Sequence, residues 1–130
     1  MNTKRLKIFN GKILTPYRII PNGTVIVTGD TITAVLEGDI DVPDAMEIDA
    51  MGKYISPGFI DIHIHGGGGH DFMDCSEAAF LRIAELHAKY GTTSMVPTTL
   101  SCEKEELLTT LRLYKKANEN NKGQLRNFCC

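Results

Sequence analysis

The chain has 130 residues, 42% hydrophobic and 23% charged, the profile of one ordinary soluble domain. A net charge of -2 gives no basis for nucleic acid or an anionic membrane as partner. No apolar run approaches the ~18 residues of a membrane span. Lys4, Arg5 and Lys7 are not followed by the long apolar stretch of a secretory signal, so a cytoplasmic location is expected.

Residues 1–55 read as short strands separated by turn signals. Leu6 to Phe9 is a candidate strand closed by Asn10-Gly11, with Ile13-Leu14 continuing the sheet. Pro16, Pro21 and Asn22-Gly23 punctuate the next stretch. Thr24 to Thr28 and Thr31 to Leu36 are rich in β-branched residues and joined by Gly29-Asp30, which predicts a hairpin. Glu47 to Ala50 supplies one more strand. No helical period occurs in this region.

Residues 56–130 change character. Pro57-Gly58 precedes a strand-length run, Phe59 to His65. Asp74 to Glu77 has capping-box spacing and is expected to open a helix. The apolar stripe of that helix is Ala79, Phe80, Ile83, Ala84 and Leu86, and Gly91 is its natural stop. Thr92 to Val96 is a second strand, stopped by Pro97. Ser101 is the expected cap of a second helix, with Glu103, Glu105 and Glu106 at its start and Lys115 and Lys116 near its end. Leu107, Leu108 and Leu111 are its expected apolar face. Asn118 to Asn121 is polar, and Gly123 to Cys130 shows no clear pattern. Strand, helix, strand, helix implies parallel strands joined by crossover helices. Cys75, Cys102, Cys129 and Cys130 form no C-x-x-C pair and are expected to be free thiols.

The chemistry concentrates in Phe59-Ile60-Asp61-Ile62-His63-Ile64-His65, followed by Gly66 to Gly69, His70 and Asp71. Side chains alternate along a strand, so Ile60, Ile62 and Ile64 are expected on one face, against helices. Asp61, His63 and His65 are then expected on the other. Imidazoles two apart on one strand face can reach one divalent ion. The glycines allow a tight turn and leave room for a ligand. Asp61 is a candidate to orient a ligand imidazole. His70 reads as a solvated loop residue and His87 as structural. Thr98 and Thr99 are expected at the strand exit, facing the presumed site, where they either shape the pocket or cap the turn. Glu103, Glu105 and Glu106 read as a solvated helix face.

The segment Ser56 to Asp74, SPGFIDIHIHGGGGHDFMD, resembles the first barrel strand and following loop of N-acetylglucosamine-6-phosphate deacetylases, in the amidohydrolase superfamily. Tyr90 to Leu100, YGTTSMVPTTL, resembles their second strand. Pro-Gly-Phe-Ile-Asp-x-His-x-His is shared across the superfamily; the glycine loop with His70, Asp71 and Asp74, together with Gly-Thr-Thr and Pro-Thr-Thr, points to the deacetylase branch. The resemblance implies an α/β fold: an N-terminal β-sandwich segment, residues 1–55, and the first two βα units of a metal-dependent (β/α)8 barrel, residues 56–130, incomplete. It implies hydrolysis of N-acetylglucosamine 6-phosphate to glucosamine 6-phosphate and acetate by a parent enzyme that is a homodimer. It implies a divalent metal, zinc or iron among the candidates, with His63 and His65 as ligands.

The same resemblance expects a glutamate ligand in a His-x-Glu-Gly-Pro segment, two further histidines and a catalytic aspartate, and none occurs in this sequence. The residues Gln124 to Cys130 fall where a third strand is expected to begin. The chain is therefore expected to be an N-terminal fragment without turnover of its own. The competing readings are another amidohydrolase, acting on N-acetylgalactosamine 6-phosphate or a dihydroorotase-like ring, and a small non-enzymatic module that pairs with a full-length relative.

Overall fold

A computed structural model describes residues 4–121 and 127–128, the last two by backbone alone. They fall into two compact units, within Met1–Pro57 and Gly58–Cys130.

The first unit is a single mixed sheet. Its strands are β1 (Arg5–Leu14), β2 (Ile19–Thr28), β3 (Thr31–Glu37), β4 (Met46–Asp49) and β5 (Tyr54–Ile55). The order is β3-β2-β1-β4, with β5 also paired to β1. β2 lies antiparallel to both β1 and β3, whereas β4 and β5 run parallel to β1. The Gly29-Asp30 hairpin forms as expected: Thr28 faces Thr31, and Gly29 takes φ 63°. Ile13, Ile20 and Val25 form the buried nucleus, with Ile8, Val27 and Ile55 against them.

Both Asn-Gly pairs, read from sequence as turn signals, lie inside strands instead. Gly11 and Gly23 are register partners within the β1–β2 ladder, flanked by irregularities. Asn10 sits at φ 55°, which its short polar side chain tolerates, and its amide donates to Asp49 at 2.8 Å. The glycines serve close packing. A Cβ on Gly11 would meet the Ile55 side chain at 2.5 Å, and one on Gly23 would collide with Ile13. The reversal falls at Thr15–Arg18, where the Thr15 amide donates to the Arg18 carbonyl at 3.1 Å.

Lys7 is 4% exposed. Its ammonium pairs with Asp39 at 2.7 Å and Glu47 at 2.8 Å and lies 4.6 Å from the Phe9 ring centroid. These carboxylate hydrogen bonds raise its pKa above the ordinary 10.5. A buried ammonium is tolerated because its charge is paired and hydrogen-bonded.

The second unit holds β6 (Phe59–Ile64), β7 (Gly66–Gly67), β8 (His70–Asp71), a 3-10 turn (Phe72–Asp74), α1 (Glu77–Lys89), β9 (Thr92–Pro97), α2 (Lys104–Asn120) and β10 (Asn127–Phe128). The sheet order is β10-β9-β6, all parallel. β10 thus adds a third parallel strand beside β9. The core is Ile64, Phe72, Phe80, Ile83, Ala84, Met95, Tyr114 and Ala117.

Helix boundaries differ from the sequence reading. The capping box belongs to Asp71 and Asp74 and closes the 3-10 turn, not to Asp74 and Glu77. Cys75 then adopts φ 49°, which ends that turn, and Ser76 caps α1 by accepting from the Ala79 amide at 3.4 Å. Gly91 stops α1 at φ 93°, donating to the Ala88 carbonyl at 3.1 Å.

α2 begins after Glu103, not at Ser101, and without a side-chain cap. It continues through the polar residues to Asn120, so Lys115 and Lys116 are interior. Its buried face is Thr110, Tyr114 and Ala117, and Leu111 is 48% exposed. The Tyr114 ring against Phe80, centroids 6.1 Å apart, sets this rotation, and Lys116 reaches Glu77 of α1 at 2.8 Å.

Candidate functional site

His63 and His65 stand at the C-terminal end of β6, the end at which parallel βα architectures gather functional groups. Their Nε2 atoms lie 3.3 Å apart, with rings at 76° and centroids 5.1 Å apart. Two nitrogens bound tetrahedrally to one zinc at ~2.0–2.1 Å are themselves about 3.3 Å apart. The pair therefore has the spacing of two ligands on a single ion. His63 is exposed and His65 half-buried. The Nδ1 of His65 is buried without a hydrogen-bond partner. That atom needs an acceptor if Nε2 is to ligate with Nδ1 protonated.

Strict alternation does not hold along β6. Its register with β9 shifts twice, between Phe59 and Ile60 and between Asp61 and Ile64. Three residue steps of β6 from Asp61 to Ile64 oppose two of β9 from Met95 to Pro97. Of the three isoleucines expected against helices, only Ile64 is buried; Ile60 is 67% and Ile62 77% exposed. The reason is placement: α1 packs on β9, β7, β8 and α2. Asp61 does not orient an imidazole by any bond seen here; its carboxylate accepts from the His63 amide at 3.2 Å. It thereby braces the irregular backbone just before the pair.

The glycine run forms a miniature hairpin. Gly66 faces Asp71 and Gly67 faces His70, around Gly68 and Gly69 at φ 63° and 80°. Positive φ at both central residues is the requirement of a type I′ turn. The absence of a Cβ serves packing: one on Gly67 would sit 2.7 Å from His87 Nε2 and 3.2 Å from Leu86. His87 has the structural role expected of it, with Nε2 3.4 Å from the Gly66 carbonyl. His70 is exposed, as expected of a loop residue, and its Nδ1 lies 3.4 Å from Asp74. The Phe72 amide donates to the His65 carbonyl at 2.9 Å, tying the strand end to the buried Phe72.

Thr98 and Thr99 divide their roles. Thr98 joins the ends of β6 and β9: its amide donates to the Ile64 carbonyl at 2.7 Å, and its hydroxyl accepts from the Ile64 amide at 3.2 Å. Thr99 lines an apolar cavity of about 200 Å³ with Phe72, Phe80, Pro97, Thr110 and Tyr114. Only the register shift reveals the Thr98 contacts; no sequence pattern signals them.

Glu103, Glu105 and Glu106 are exposed, and no group of three or more His, Cys, Asp or Glu side chains suited to a metal occurs among the described residues. Cys75 and Cys102 are free thiols, and burial pushes the Cys102 thiol up, with the nearby Glu106 charge adding to the shift. Cys129 and Cys130 lie outside the described residues. Among those described, no helix is long and apolar enough to cross a membrane.

A mixed sheet is followed by parallel βα units, with His-x-His at the end of β6. No protein-family model matches the chain. An N-acetylglucosamine-6-phosphate deacetylase of Bacillus subtilis is 35% identical over 112 residues, covering 83% of this chain and 28% of its own length. A dihydroorotase of the same organism is 35% identical over 97 residues, covering 71% of this chain and 21% of its own. The crystal structure of the Pasteurella multocida N-acetylglucosamine-6-phosphate deacetylase superposes with a TM-score of 0.83 at 26% identity, over 95% of this chain and 33% of that one. The chain belongs to the amidohydrolases and matches the N-terminal part of the N-acetylglucosamine-6-phosphate deacetylases. It spans between about a fifth and a third of the length of these relatives.

Proposed function

We propose that the chain is the N-terminal part of a metal-dependent hydrolase that converts N-acetylglucosamine 6-phosphate and water to glucosamine 6-phosphate and acetate. The observation that carries the reading is the 3.3 Å separation of His63 and His65 Nε2 at the end of β6, in a chain whose sequence and fold match that family. Zinc or another divalent ion fits this pair by spacing and by ligand chemistry. When bound, such an ion supplies Lewis-acid polarisation of the amide carbonyl and lowers the pKa of water. His63 and His65 would hold it; Asp61 and Thr98 hydrogen-bond to the backbone that carries them.

Two imidazoles fall short of the roughly three protein ligands of a catalytic zinc. The remaining ligands and the catalytic aspartate belong, on this reading, to the part of the relatives' length that this chain does not span. The 130 residues alone are then inactive. Residues 1–55 form one layer of a small sandwich: Ile8, Val25, Val35 and Ile48 share one sheet face by register, and Val35 and Ile48 remain 43% and 45% exposed. Residues 56–130 begin a (β/α)8 barrel. The parent works in the cytoplasm as a homodimer on a small amino-sugar phosphate.

The test is acetate release by the full-length protein that carries this segment, with His63→Ala and His65→Ala as controls. Loss of ~100-fold or more in kcat/KM in each is expected. No acetate from any acetylated amino-sugar phosphate would end the deacetylase reading. The dihydroorotase match supports a second reading; ring opening of dihydroorotate without acetate release selects it, and preference for the galactosamine epimer moves the specificity.

A further inference from the structure

We infer that the open edge of β6 fits a strand of a second copy of this chain, and that the Asp61 carboxylate keeps that edge closed. Among the described residues β6 pairs only with β9, which leaves its other edge unpaired. Ile64 pairs with Pro97 and its carbonyl accepts from the Thr98 amide, so its main-chain groups face β9. Successive residues of a strand direct these groups to opposite edges, so those of Asp61 and His63 face the open one. Along that edge Phe59–Ile64 reads FIDIHI, with an isoleucine at every second position, no Pro or Gly, and one carboxylate. Phe59, Ile60 and Ile62 are 59%, 67% and 77% exposed. An apolar edge of this kind is a template for pairing with another chain.

The edge is complementary to itself. In an antiparallel pair centred on Ile62, the two Ile62 residues meet, Ile60 faces Ile64, and Asp61 of each copy faces His63 of the other. Asp61 and His63 are then the hydrogen-bonded pair, each giving its amide to the other's carbonyl. A carboxylate opposite an imidazole suits this register; parallel in-register pairing would set Asp61 beside Asp61. Asp61 intercepts the pairing. Its carboxylate already accepts from the His63 amide at 3.2 Å, so the donor that the second strand needs is occupied from within the same strand. Pairing also has to strip water from the half-buried carboxylate. On the barrel reading above, this edge stays open until a later strand covers it, and a guard serves the chain in that interval. The pairing itself is a property of these 130 residues and does not rest on that reading.

The experiment is sedimentation velocity over a concentration series, with EDTA and a thiol reductant to exclude metal and disulfide bridges. It compares the wild-type chain with Asp61→Val and Asp61→Val/Ile62→Lys. Asp61→Val frees the His63 amide. The self-association constant is expected to rise by ~10-fold or more, since each pair gains two main-chain hydrogen bonds worth a factor of roughly five each. Ile62→Lys sets two like charges against each other at the centre of the pair and is expected to return the constant to the wild-type value. Association through any other surface is common to the three chains and cancels in the comparison. An unchanged constant in Asp61→Val, or one that Ile62→Lys leaves raised, overturns the inference. Loss of amide protection at Ile83 and Met95 identifies a variant that has failed to fold, and the wild-type chain then decides. In its dilute solution the His63 amide is expected to exchange ~10-fold or more slowly than the Asp61 amide, relative to their intrinsic rates, although both face the open edge. Equal exchange at the two positions means that Asp61 does not hold the His63 amide, and overturns the inference.

Discussion

Replacing Phe72 by alanine tests how the strand end that carries the histidines is supported. Phe72 is 0% exposed, its ring packs 4.9 Å from that of Phe80 at 46°, and its amide holds the His65 carbonyl. A buried aromatic side chain removes ~150 Å² or more from water, worth about 4 kcal/mol at ~25 cal/mol per Å². Measured Phe→Ala losses in cores run ~3–5 kcal/mol once the residual cavity is included. The site already borders the apolar cavity of about 200 Å³, so the deletion enlarges an existing void rather than opening a closed one. A loss of ~3–4 kcal/mol is therefore expected, a large part of the ~5–15 kcal/mol typical of a domain. Amide hydrogen exchange is the assay, since it reads the stability of this unit residue by residue. The amides of Ile83, Ala84 and Met95 should lose that much protection. A loss below ~1 kcal/mol at all three would refute the assignment of Phe72 to the centre of the core.

Gly67→Ala places a Cβ 2.7 Å from His87 Nε2 and should destabilise by ~1–3 kcal/mol in urea unfolding; adding His87→Ala should recover part of that, and strict additivity would refute the contact. Glu77 is held below its ordinary 4.5 by hydrogen bonds from Lys116 and Asn120, so its contribution is full at neutral pH and disappears as pH falls through the folded value. Glu77→Gln should flatten the melting temperature profile in the acid limb, below pH ~4.5, and an unchanged profile would count against the interhelical bridge. Lys7 has the opposite sign: its raised pKa makes its contribution complete at neutral pH and lost as pH climbs through a value above 10.5. Lys7→Met should therefore shrink the alkaline fall in melting temperature above pH ~10, and a fall equal to wild type would refute the buried ion pair.

Local signals with their own physics were legible from the sequence alone. The Gly29-Asp30 hairpin, the stripe Ala79, Phe80, Ile83 and Ala84, and the Gly91 stop follow from turn chemistry and helical period, which need no distant partner. The His-x-His spacing and the resemblance around it pointed to the amidohydrolase class through residue type and order. Where a signal depends on what lies opposite, the tertiary structure decided. Asn10-Gly11 and Asn22-Gly23 have the composition of turns, yet each glycine faces the other across a ladder because Ile13 and Ile55 must cross their backbones. Asp71 rather than Asp74 starts the capping box because the glycine hairpin delivers the chain to Phe72 at the core. The face of α2 turned toward Tyr114 because that ring meets Phe80, a contact that leaves no trace in leucine spacing. The convergence of His63 and His65 belongs to both: the spacing His-x-His is read from the sequence, and the fold, with its register shift in β6, sets their Nε2 atoms 3.3 Å apart.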